Sequence, residues 1–161
     1  MAVLLSGSGG SVELRPLRYQ FAGARGERFD DNWLVIGGEI ATASGAWSFA
    51  DPALLTDECA EVSAWLRAVA AGTVPATARD TEGLLVPELS FLEPVVAFSV
   101  AVHHDDEWAL RVHLSLQAAP PWWQDAGGDL FQYVVEVQAD EAALLSAADQ
   151  WDAQLAQFPP R

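Results

Sequence analysis

The sequence predicts an α+β fold: an antiparallel, strongly twisted sheet of about six to eight strands packed with two amphipathic helices, one mid-chain and one C-terminal. Three observations predict it. Apolar and polar residues alternate over several stretches bounded by Gly, Pro and Asp, as half-buried strands require. The apolar period changes to that of a helix in two places, Leu55 to Val69 and Leu144 to Phe158. Successive strands read as hairpins with polar outer faces, which favours antiparallel pairing.

The elements follow in order. "SGSGGS" (Ser6 to Ser11) leads into "VELRPLRYQF", where Val12 and Leu14 alternate and a bulge is expected at Arg15-Pro16. A glycine-rich phosphate loop hands its ligand to a helix N-terminus. This one leads into a strand, so it reads as a hairpin turn. "NWLVIGGEIAT" and "AWSFADP" are two further strands, joined through Ser44-Gly45.

Leu55, Cys59, Val62, Leu66 and Val69, spaced 4, 3, 4 and 3, then form the stripe of an amphipathic helix. Thr56 is its expected N-cap, Asp57 and Glu58 face the positive end of its dipole, and Gly72 closes it. Trp65 flanks the stripe and is expected in the core. Three strands are predicted around "LLVPELSFLE", "VVAFSVAVH" and "EWALRVHLSLQ", the first ending at Glu93-Pro94. In the last, Trp108, Leu110, Val112, Leu114 and Leu116 point one way and Arg111, His113 and Ser115 the other. "DLFQYVVEVQ" sets Phe131, Tyr133, Val135 and Val137 on one face. The closing helix starts near Asp140, carries Leu144, Ala148, Trp151, Leu155 and Phe158, and stops at Pro159-Pro160.

Composition bounds the function. The 161 residues fit one domain, 1–161, without linker, repeat or low-complexity tract, and a chain of this size buries about two thirds of its unfolded surface. A single cysteine excludes an internal disulfide or a multi-thiolate metal site and suits a reducing cytoplasm. "MAVLL" is too short for a secretory signal, and no apolar run approaches a membrane span. The formal net charge is −15, and all eight basic residues are Arg. From Phe29 to Pro160 three arginines stand against 21 carboxylates. Such a body repels phosphate backbones, which argues against nucleic acid as a partner, and attracts a basic protein. Solubility alone is the other reading of that charge.

"AVHHDDEWALRVH" (101–113) resembles a metal site, with His103, His104, Asp105, Asp106 and His113 close in sequence. Strand geometry argues for a turn. With Val96, Phe98, Val100 and Val102 facing the core, His103 faces out; with Trp108 facing in, His113 faces out as well. Val102 then opposes Trp108 or Leu110, placing His103 opposite Glu107 or Ala109. His113 lies about 20 or 13 Å further along the strand, while zinc ligands stand about 2.0–2.1 Å from the ion. Asp105 and Asp106 suit a turn. Asp30 and Asp31 point apart on an extended chain, one capping the start of a strand and the other solvated. Cys59, on an apolar stripe, reads as a buried thiol. No Ser sits in a nucleophile elbow, and no Lys exists to form a Schiff base. Trp122 and Trp123 follow Pro120-Pro121 in a surface connection, either folded back as a lid over the core or exposed as interface anchors.

"RYQF", "DDNWLVI", "WSFADPALLTDE", "WLRAV", "LSFLEP", "PPWW" and the terminal "FPPR", in that order, resemble the WapI-like bacterial immunity proteins over about Val12 to Arg161. The resemblance implies a small cytosolic protein that binds, without catalysis, the toxic C-terminal domain of a wall-associated or Rhs-type polymorphic toxin. Some toxins linked with the family cleave RNA. An acidic inhibitor would set carboxylates where phosphates bind and would be steered to its target. No catalytic, metal or cofactor residue is implied. Asp30, Asp31, Asp105, Asp106 and Glu107 are the candidate acidic contacts, with Trp122 and Trp123 as candidate anchors, in a monomer or weak dimer that binds neither nucleic acid nor membrane. Two other functions stay open: a small hydrolase or metal-dependent enzyme using residues 103–107, and a binder of a small molecule or peptide beneath the Trp122-Trp123 loop.

Overall fold

The computed structural model describes residues 3–7 and 9–161. Their strands form two antiparallel meanders where the sequence predicts one sheet. The first sheet runs β1 (Val3–Gly7), β2 (Gly10–Tyr19), β3 (Trp33–Thr42) and β4 (Gly45–Leu55) in spatial order. The second runs β5 (Val96–His104), β6 (Glu107–Leu114) and β7 (Val134–Asp140). The helices are α1 (Arg28–Asn32), α2 (Thr56–Ala70), α3 (Pro121–Asp125) and α4 (Glu141–Leu155).

The division has two causes. Between β4 and β5 the chain forms α2 and then a long irregular segment, so no hairpin carries the ladder across. The strand predicted at 84–93 does not form. Pro87 within it and Pro94 directly after it cannot donate to a ladder, and a lone bridge from Leu89 to Phe98 remains. Second, the sheets abut at the β1–β2 hairpin tip without sharing a ladder. A Cβ on Gly7 would stand 2.6 Å from the Gln138 amide nitrogen, and one on Gly9 2.5 Å from the Glu136 carbonyl oxygen. The glycine-rich turn is therefore a close backbone approach, and Gly7 pairs with Gly10 as a hairpin requires.

Local signals in the first sheet are placed nearly as expected. The bulge falls between Pro16 and Arg18, one residue beyond Arg15-Pro16. A second register shift in the β3–β4 pairing accommodates Pro52, tolerated because β4 is an edge strand. α2 begins one residue away from its predicted cap. Leu55 occupies the N-cap position, and its amide is satisfied by Glu58 Oε2 reaching back at 2.9 Å. Thr56 is already helical, and its hydroxyl donates to Asn32 Oδ1 at 3.0 Å. Gly72, at φ 70°, closes the helix in a Schellman turn, with Thr73 N donating to Ala68 O and Gly72 N to Val69 O. Asp140 caps α4, accepting from Ala143 N at 2.8 Å.

The core lies where α2 and α4, packed on each other, meet both sheets. Leu5, Val12 and Leu14 of the first sheet, Phe98 and Val112 of the second, Val62 and Leu66 of α2 and Trp151 of α4 enclose one small void of about 20 Å³. Trp65 is buried and stacks at a tilt on Phe98, 5.6 Å between centroids. On the solvent side Arg67 clasps Asp149 at 2.7 Å and Asp152 at 2.8 Å. Among the described residues, no helix is long and apolar enough to cross a membrane.

Gly38 is the tightest point of the first sheet. It faces Phe49 across the β3–β4 pair, and a Cβ there would fall 2.1 Å from the Phe49 ring. Gly38→Ala should therefore destabilise the fold by about 1–3 kcal/mol, the usual range for overpacking, read as a lower urea midpoint at unchanged slope. An unchanged midpoint would show that Phe49 has room to swing aside.

Candidate functional site

The β5–β6 hairpin carries the residues that look like a metal site, and its register is neither of those expected. Ala101 is bulged out between Val100 and Val102, which pairs Val102 with Ala109, His103 with Trp108 and His104 with Glu107. One extra residue inverts the faces beyond it. Val102, expected in the core, is 54% exposed. His103 lies flat on Trp108, 4.6 Å between centroids with an interplanar angle of 4°. At the tip Asp105 takes left-handed backbone, φ 51°, a conformation Asp tolerates. His104 Nδ1 lies 3.1 Å from Asp105 Oδ2, both side chains open to solvent, so this contact contributes little. Glu107 pairs with Asp140 on β7, and Glu107, Glu136, Gln138, His104 and Val102 line a shallow cleft of about 210 Å³. Asp105, Asp106, Glu107 and Asp140 thus form one exposed carboxylate group at one end of the second sheet, while Glu136 lies further along β7 opposite Arg111.

His113 is a correction: it is fully buried, where alternation places it in solvent. The outer face of β6 is roofed at that point by residues 130–132. Phe131 O accepts from His113 Nδ1 at 2.7 Å, and Ser99 Oγ lies 2.8 Å from Nε2. A carbonyl can only accept, so Nδ1 holds the proton and Nε2 accepts from the Ser99 hydroxyl. Burial pushes the imidazole pKa below its ordinary value. Ser99 has no accessible surface either, so the pair fastens two strands to a loop and exposes no nucleophile. His113 is five positions along β6 from Trp108, where His103 sits, about 17 Å at 3.3 Å per residue. Among the described residues no three His, Cys, Asp or Glu side chains form a group able to hold a metal ion. Cys59 is buried, and burial pushes its thiol pKa up, which leaves it unreactive.

Asp30 and Asp31 divide as structural and solvated carboxylates, but in the short helix α1 and not on an extended chain. Asp31 is buried and accepts from the backbone amides of Arg25 (2.7 Å), Gly26 (2.7 Å) and Glu27 (2.9 Å). Those bonds, that from Arg25 first, hold its carboxyl below the usual range against the opposing effect of burial. Its oxygens are committed within the fold, whereas Asp30 is exposed. Beside it lies a dock that the sequence reading missed. Asn32 donates to Arg28 O and Arg161 O and accepts from Arg161 N and Thr56 Oγ1. The Arg161 guanidinium sits 3.5 Å over the Tyr19 ring, and the Tyr19 hydroxyl donates to Pro159 O.

Trp122 and Trp123 lie on α3, between the two expected arrangements. Trp122 is 43% exposed yet meets Trp47 edge-on at 5.3 Å, and half-buried Trp123 meets Tyr133 edge-on at 5.5 Å. Trp47 Nε1 anchors the group by donating to Ala118 O at 2.8 Å. Gly128 makes room for Trp123, since a Cβ there would stand 2.0 Å from the indole nitrogen.

The candidate contacts fall in three separate places. α1 joins the Trp33 end of β3, while Trp122 packs near Gly45 beyond the Thr42 end, nine residues or about 30 Å away along the strand. Trp123 contacts Tyr133, at the start of β7, while Asp140 beside the 103–107 hairpin is seven residues or about 23 Å further on. An open trough of about 500 Å³ lies on the outer face of the first sheet, walled by Glu13, Glu39, Ser11, Ala41 and Ser48. Arg15 pairs with Glu39 there at 3.1 Å.

Two antiparallel meanders over a helix pair define a small acidic α+β protein with exposed carboxylates and shallow clefts. The chain belongs to the immunity protein WapI-like family, whose family model matches residues 3–159. The match takes in β1, ahead of the first motif that carried the resemblance, and stops two residues before Arg161. No curated protein and no solved structure matches the chain.

The Asp31 carboxyl titrates lower in the folded chain than in the unfolded one. Its stabilisation is therefore complete above the unfolded pKa of about 3.9 and is lost as pH falls through the lower folded value. Asp31→Asn should melt below the parent chain at neutral pH, and the gap should close as the pH drops below about 4. Melting curves by circular dichroism across that interval check this. A gap independent of pH would assign the loss to geometry and not to charge.

Proposed function

We propose that this chain is a non-enzymatic immunity protein that binds and neutralises, in a 1:1 complex in the cytoplasm, the toxic C-terminal domain of a cognate contact-dependent or polymorphic toxin. Membership in the WapI-like family supports the class of function. The observation that carries the mode of binding is the exposed carboxylate group of Asp105, Asp106 and Glu107 with Asp140, on a chain of net charge −15. Such a surface suits a basic partner. If the toxin cleaves RNA, its substrate face must attract phosphates, and carboxylates from this hairpin would occupy the same positions. Opposite fields draw the two together before contact, so the charge acts mainly on the association rate. Asp30, exposed on α1, and Trp122 are further contacts under this reading. Asp31 stays within the fold.

The toxin domain encoded directly upstream should co-purify with this chain in equimolar amount. Replacing Asp105, Asp106 and Glu107 together by Asn, Asn and Gln should slow association about tenfold at low salt, with the loss fading as salt rises. The melting temperature should hold, since all three side chains are solvent-exposed. Stopped-flow mixing reads the rate. No complex at micromolar concentrations would refute the function, and an unchanged rate would move the interface elsewhere.

A further inference from the structure

Residues 115–131 hold two bulky side chains in left-handed backbone, Leu116 at φ 52° and Phe131 at φ 65°. Such a conformation is strained for any residue with a Cβ other than Asn or Asp, and it persists where something else compensates. For Phe131 the compensation is internal. Its carbonyl accepts from His113, its amide donates to Ser115 Oγ at 2.8 Å, and its ring meets the His113 ring edge-on at 6.5 Å. For Leu116 the backbone supplies one bond, from Ala119 N to its carbonyl at 3.2 Å, and the side chain supplies no packing. The side chain is 44% exposed and enters no buried cluster, although Gly or Asn would hold the same backbone without strain.

What the side chain does contribute to is a surface. Leu116 and Leu130, the latter also 44% exposed, wall a cleft of about 260 Å³ with Trp123, Gln124 and Asp129. Gln132 donates to Leu130 O at 3.1 Å beside the cleft. It accepts from Leu85 N and donates to Leu85 O, which brings the exposed Leu84 and Val86 alongside residues 130–132. Asp129 in the wall and Asp125 on α3 form no ion pair within 4.0 Å among the described residues. Sites for drug-sized molecules run from about 300 to 1,000 Å³. This cleft is smaller and open, the size of one large side chain.

We propose that the Leu116–Leu130 cleft is a docking site for a protein partner that inserts one apolar side chain flanked by Arg or Lys, the cations meeting Asp125 and Asp129. Under the proposed function that partner is the toxin domain, and the identification of the partner, though not of the site, rests on that reading. Leu116 is held in a strained backbone so that the apolar wall is present before the partner arrives.

Leu116→Asn tests this, because Asn accepts left-handed backbone while removing the apolar wall. Its melting temperature should match or exceed that of the parent chain, while affinity for the upstream-encoded toxin domain falls at least tenfold. Leu130→Asn should weaken binding similarly. Independently of any toxin, amide shifts in ¹H–¹⁵N spectra should move at Leu116, Asp129 and Leu130 on titration with the capped peptide Arg-Leu-Arg, and far less with Asp-Leu-Asp. Toxin binding equal for parent and Leu116→Asn would overturn the site and leave the function standing. No toxin binding, with Arg-Leu-Arg still seated here and lost in Leu116→Asn, would overturn the function and leave the site standing. A large drop in melting temperature for Leu116→Asn, or equal shifts with both peptides, would refute the inference.

Discussion

Trp151 is where both sheets and both long helices meet. Its indole is buried, donates to Cys59 O of α2 at 2.8 Å, and closes a space lined by β1, β2, α2, β5 and β6. Among the described residues the sheets share no hydrogen-bond ladder, so their relative placement depends on this packing and on the glycine contact between the β1–β2 tip and β7. Interiors are packed like organic crystals, and a void of about 20 Å³ leaves no slack for one sheet to slide over the other. A helix tryptophan and side-chain-free strand tips together do the work that a continuous ladder would do in a single sheet.

That arrangement determines what reaches the surface. Because β7 is held against the first sheet, the ends of the second sheet are free to differ. One end carries the carboxylate hairpin, and the other runs into the 115–131 segment with its aromatic cluster. The single bulge at Ala101 sets the hairpin's character. It turns Val102 outward among carboxylates and lays His103 on Trp108, so the tip is anionic around a small apolar centre. At the other end the Ser99–His113–Phe131 chain of hydrogen bonds clamps the loop that presents Leu116 and Leu130. A neutral imidazole suits that clamp, since a second ring proton would have to displace the hydroxyl proton now donated by Ser99.

The helices were legible in the sequence because their signals are local. The helical spacing, Gly72 and Asp140 each act within one or two turns, and they lie where expected except at the ends of the stripes: Leu55 is the N-cap of α2, and α4 stops at Leu155, short of the expected Phe158. The N-cap of α2 missed by one residue because Thr56 has a distant partner, Asn32, that no local pattern reveals. The sheet was legible as strands and hairpins but not as a pairing. Alternation along β6 places His113 outside on the assumption that the outer face is bare, and here residues 130–132 cover it. Likewise the apolar residues of 84–93 suggest a strand, while Pro87 and Pro94 confine the segment to a single bridge. Of the candidate contacts, the exposure of the hairpin acids was legible because turn acids point into solvent. The commitment of Asp31 was not, because its three donors come from a loop whose course the sequence leaves open.

The motifs that carried the family resemblance can now be placed in space, and their placement explains what they do and do not report. "RYQF", "DDNWLVI", "WSFADPALLTDE" and "FPPR" lie far apart in the chain but converge on one dock. Tyr19 holds Pro159 and underlies Arg161, Arg161 donates to Phe21 O and Ala22 O, and Asn32 gathers Arg161 and Thr56. Asp31 in the same motif ties down the loop before α1. These residues fasten the segment after α4 to the first sheet, at the opposite end of β3 from the Trp122 cluster. A resemblance resting on them speaks for a shared fold. Of the surfaces that would choose a particular partner, the 103–107 hairpin lies outside the motifs, whereas the Leu116–Leu130 cleft borrows Trp123 from "PPWW" and takes its two leucines from outside them. Loops carried by a rigid scaffold can therefore change their contacts while the dock, and with it the family membership, stays intact.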